Sequence, residues 1–79
     1  MHESVLVYRM LEEIRPQLPP GRTLKRVSLE VGEYSCVNAK TLVQLYDIAK
    51  AGTYAQSSRL KVIVGENSSD IVIKSIEVK

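Results

Sequence analysis

The chain has no tryptophan, no phenylalanine, one cysteine and one histidine. Each shortage closes off a class of protein. A lone Cys36 excludes an internal disulfide, and it excludes a zinc site built from several cysteines of the same chain. With only Tyr8, Tyr34, Tyr46 and Tyr54 as aromatics, the core has to come mainly from Leu, Ile and Val. The longest apolar runs, such as Val5 to Val7 and Ile71 to Ile73, fall far short of the ~20 residues that cross a bilayer. The first residues show no basic stretch followed by an apolar one, so neither a signal peptide nor a membrane partner is expected, and a cytoplasmic location follows by default. Eleven Lys and Arg against nine Asp and Glu give +2. These charges are spread along the chain, whereas phosphate recognition concentrates them on one face, so no nucleic-acid partner is expected.

What is present describes one folded unit. At 79 residues, with 44% hydrophobic and 25% charged, residues 1–79 suffice for a single domain with one small core. Val7, Met10, Leu11, Ile14 and Leu18 share one helical face, with Ser4 as the expected N-cap, Pro16 as kink or stop, and Pro19, Pro20 and Gly21 closing the element. Leu24 to Val31 switches to a period of two, with Val27, Leu29 and Val31 on one face, and Gly32 ends it or marks a bulge. Asn38 as cap, a stripe of Leu42, Leu45, Tyr46 and Ala49, then Lys50 and Gly52 predict a second helix. Arg59 to Val64 and Ile71 to Val78 are β-rich and separated by the polar run Gly65 to Asp70, which reads as a hairpin. The third strand is apolar on both parities, as central strands often are. The expected fold is α+β, order α-β-α-β-β, with two helices on one face of a three-stranded sheet. Strands one and two are either parallel neighbours through a right-handed crossover, or split by strand three.

The chemistry concentrates at the start of the chain. The amine of Met1, the amide nitrogen of His2 and the His2 imidazole can close two fused chelate rings on one ion. A fourth donor from Glu3, backbone nitrogen or carboxylate, completes a plane of N and O ligands, the geometry that suits Ni(II) or Cu(II). Zinc gains nothing from planarity. These donors shed protons on binding, so affinity rises with pH. A terminal histidine is usually just a solvated side chain, but a helix that begins at once can hold these residues against a folded surface. The histidine after Met1 is also a poor context for removal of the initiator.

The opening Met1-His2-Glu3 with its helix, the segment Val27 to Ser35, the stretch Thr53 to Val64 and the ending Ile73 to Val78 together resemble the HypA family. These are nickel metallochaperones of hydrogenase maturation, some of which also serve urease. The resemblance implies a non-enzymatic Ni(II) carrier with its metal site on Met1, His2 and Glu3. It also implies a nickel-handling GTPase as partner and the hydrogenase large subunit as recipient. The family inserts a zinc domain with paired Cys-x-x-Cys motifs between strands two and three. Here Val64 runs straight into Gly65, so no zinc is expected in this chain; the insertion has either been excised or been lost in a naturally reduced member, and the abrupt junction favours excision.

Other candidates read as structure. Cys36 resembles a small, partly buried hydrophobe. Glu12 with Glu13, and Glu30 with Glu33, lack a nucleophile or histidine to make them catalytic. Arg22, Lys25 and Arg26 read as a solvated loop. No glycine-rich phosphate loop occurs. The alternative function is a metal-free α/β module for RNA or protein, against which stands the lack of tyrosines in the strands; a third possibility is self-assembly through an exposed edge strand.

Overall fold

The computed structural model describes residues 2–79. Helix α1 (Glu3–Ile14) buries Val7, Met10, Leu11 and Ile14, the face its spacing predicts. It begins two residues earlier than expected. His2, not Ser4, is the N-cap, extended at φ −83°, ψ 113°, and its carbonyl accepts the Leu6 N–H at 3.3 Å. A side-chain cap is worth about 1 kcal/mol, too little to move the boundary once Leu6 and Val7 are drawn to the core. Pro16 acts as a stop: α1 ends at Ile14 and tightens into a 3-10 turn over Arg15–Gln17.

Strand β1 (Leu24–Gly32), helix α2 (Ala39–Ala49), and strands β2 (Arg59–Gly65) and β3 (Ile71–Val78) follow. Asn38 caps α2, its side-chain oxygen accepting the Thr41 N–H at 3.0 Å. Just beyond α2, Gly52 takes φ +74°. The sheet order is β2-β1-β3. β1 and β2 are parallel, Leu29 beside Val62; β1 and β3 are antiparallel, Leu29 beside Ile73.

This corrects two expectations. β2 and β3 form no hairpin, and the central strand is β1, not β3. The crossover through α2 seats β2 on one edge of β1. On the other edge, β3 lies under α1 and packs Ile71, Ile73 and Ile76 against the core, a cover that a place outside β2 would not provide. The second apolar parity of β3 does not reflect burial on both sides, because Val72 is 44% exposed.

The chain between β2 and β3 therefore crosses the end of β1. Gly32 N–H donates to the Asp70 carbonyl at 2.7 Å, Tyr34 N–H to Ser68 at 2.9 Å, and Glu33 N–H to Gly65 at 2.9 Å. A Cβ on Gly32 would lie 2.3 Å from the Ser68 carbonyl oxygen, so only glycine permits this crossing. At the opposite end the connection from α2 to β2 is held by side chains. Tyr46 Oη donates to Ser58 Oγ at 2.5 Å, Ser58 Oγ donates to the Ala55 carbonyl, and Lys50 Nζ donates to the Ser58 carbonyl at 2.7 Å. Tyr54 Oη ties this segment to α1 through the Leu11 carbonyl at 2.6 Å.

Candidate metal centre

Of the three residues expected to hold metal, Met1 lies outside the described residues; His2 and Glu3 are adjacent at the start of α1. His2 is exposed and its imidazole makes no capping hydrogen bond, so among the described residues none claims the ring through a cap. Glu3 is half-buried and is the first helical residue. The first backbone N–H groups of a helix have no intrahelical carbonyl. The Glu3 nitrogen can thus lose its proton without breaking a rung of α1. The positive end of the helix dipole opposes a bare cation, yet it favours an ionised amide or the Glu3 carboxylate beside it.

No other grouping competes. Among the described residues, no three His, Cys, Asp or Glu side chains gather closely enough to hold an ion. Cys36 departs from expectation: it is exposed, in the left-handed region at φ 61°, with Sγ 3.9 Å from the Tyr34 carbonyl oxygen. The turn after β1 sets its backbone, and no packing demand draws it inward. Glu33 is structural, accepting the Asn67 N–H at 2.7 Å. Burial pushes the Tyr46 hydroxyl up from its ordinary value and the Tyr54 hydroxyl up to about 12. Neither is an activated nucleophile.

The pattern concealed one feature, a crevice of about 490 Å³ beside the first turns of α1, lined by Leu6, Met10, Leu29, Ile71 and Ile73. Its only signal is the doubly apolar β3, which reads equally well as a central strand.

The sequence model of a family described as hydrogenase/urease nickel incorporation metallochaperones, HypA, matches residues 1–77. The chain belongs to the HypA family. Two solved structures are similar in fold. The solution structure of the Ni metallochaperone HypA from Helicobacter pylori superposes with a TM-score of 0.68 at 15% identity, covering 95% of this chain and 72% of that one. A solution structure of HypA protein gives 0.58 at 14% identity, covering 92% and 66%. A search of curated proteins finds no match. The family is one of nickel metallochaperones for nickel incorporation into hydrogenase and urease. No helix is long and apolar enough to cross a membrane among the described residues. For a structural zinc of the Cys and His type, this HypA chain does not supply the donors. Cys36 is the single cysteine and His2 the single histidine, and tetrahedral zinc sites take four such ligands.

Proposed function

We propose that this HypA chain binds one Ni(II) through the Met1 amine, the His2 amide nitrogen and imidazole, and the Glu3 backbone nitrogen, and hands it on by ligand exchange. The observation that carries this reading is the cap geometry: His2 is exposed and extended, and the helix starts at Glu3. His2 and Glu3 thus offer their donors at the rim of a rigid element. The dipole of α1 opposes the ion by about 0.3–1 kcal/mol, small beside metal-binding free energies on the order of 10 kcal/mol. Two ionised amides also neutralise the ion, which cancels that opposition. A planar complex leaves both axial sides open to an incoming ligand. That is what transfer to the nickel-handling GTPase, and onward to the hydrogenase large subunit or urease, requires.

The test is nickel titration of protein beginning at Met1, beside His2→Ala and a variant with one residue added before Met1. Both variants should lose the planar d–d absorption band while keeping their fold. Unchanged nickel binding in either one rules the site out.

A further inference from the structure

Both helices cover the face of the sheet that carries Val27, Leu29 and Val31, and the opposite face is bare. The register orders it in rows. At one end, Arg59, Arg26 and Glu77 lie side by side; Lys61, Ser28 and Ser75 come next; Ile63 and Val72 then flank Glu30. Arg26 and Arg59 are direct partners, and like charges in that relation cost stability. Glu77 answers only one of them, at 3.4 Å from Arg26. Ile63 and Val72 are 38% and 44% exposed. Folding alone gives no reason to gather two guanidinium groups and an ammonium beside an apolar strip in water.

We propose that this bare sheet face docks an acidic protein surface. Carboxylates of the partner would meet Arg26, Arg59 and Lys61, where guanidinium groups can pair bidentately, and an apolar side chain would seat between Ile63 and Val72. A nucleic acid fits less well, because the face carries no aromatic side chain for a base to stack on. The chain's excess charge, small in total, is thereby placed where it steers a partner onto the face opposite the helices. This surface is independent of the nickel assignment and stands or falls separately.

The probe is a synthetic acetylated peptide, Glu-Asp-Glu-Leu-Glu-Asp-Glu, titrated into isotope-labelled full chain and followed by amide chemical shifts. Shifts should centre on Arg26, Ser28, Arg59, Lys61 and Ser75 and disappear at high salt. Arg26→Glu with Arg59→Glu should weaken binding roughly tenfold or more, and Lys61→Gln should weaken it less. Glu77→Gln, which frees Arg26, should strengthen it by a factor of about two to three. Nickel titration of the same variants should match the parent. Shifts that are absent or fall elsewhere, or an affinity indifferent to Lys61→Gln and Glu77→Gln, would overturn the proposal. So would a uridine dodecamer binding the same amides more tightly than the peptide.

Discussion

At the end of the sheet where β1 and β2 begin, side chains hold the chain together: Tyr46 and Lys50 converge on Ser58, Arg26 pairs with Glu77, and Arg22 Nε donates to the Lys79 carbonyl. At the end where they finish, backbone does most of the holding, through Gly32, Glu33 and Tyr34 bound to the carbonyls of Asp70, Gly65 and Ser68, with the Glu33 and Tyr34 side chains adding bonds to Asn67. The first turn of α1 reaches this second end, since Leu6 shares a crevice with Ile71 and Val72, and the proposed nickel ligands precede it. The contrast teaches a division of labour. The exposed His2 at the start of α1 makes no side-chain cap, so a change at this proposed ligand should leave the core undisturbed. At the other end, every substitution among the buried polar groups is felt.

Four perturbations test that contrast, in falling order of effect. His2→Ala should cost at least ~100-fold in nickel affinity, more than the loss of a supporting residue usually costs, while stability shifts by no more than ~0.5 kcal/mol; calorimetry with nickel and thermal melting check both. Gly32→Ala should destabilise by about 3 kcal/mol or more, because its Cβ collides with the Ser68 carbonyl; denaturant melts measure it. Ser58→Ala should cost about 1–3 kcal/mol by leaving the Tyr46 hydroxyl buried without a partner. Adding Tyr46→Phe to that variant should cost less than the two single changes summed. Lengthening the run Glu66 to Asn67 with glycine and serine, to double the loop, should cost only about 0.6 kcal/mol. A large loss there would show the crossing to be rigidly specified beyond Gly32.

The tyrosines add a pH signature to the side-chain end. Tyr54 and Tyr46 are held neutral by burial, with hydroxyl pKa values above the unfolded value near 10. Their contribution is complete below pH ~10 and is lost as pH rises, because the unfolded chain ionises first. Stability should therefore decline between pH ~10 and about 12, the folded value for Tyr54, and Tyr54→Phe should shallow the decline.

The same contrast explains what the sequence revealed. Side-chain signals were legible: the Val7 to Ile14 stripe, the Asn38 cap, the stop at Pro16, and the alternation of β1 all have their expected consequences. Strand order was not, because it depends on which edge of β1 the helices cover, and Ile71 to Val78 shows apolar residues on both parities either way. The crossing at Gly32 is carried by backbone groups that every residue shares, so only the glycine marks it. The helix start was misplaced by two residues because Ser4 is the better cap by type while His2 occupies the position. At the candidate site, residue types pointed to metal chemistry. What they did not contain is the exposure of the His2 ring and the freedom of the Glu3 nitrogen, both consequences of where α1 begins.

The most direct test of the nickel account is a spectroscopic titration of the unmodified chain, beginning at Met1, as pH is raised from about 6 to about 8.5. A single equivalent of Ni(II) should give a diamagnetic complex with a planar d–d band, tightening with pH as the donors release protons. A paramagnetic six-coordinate ion, or binding indifferent to pH, would contradict it.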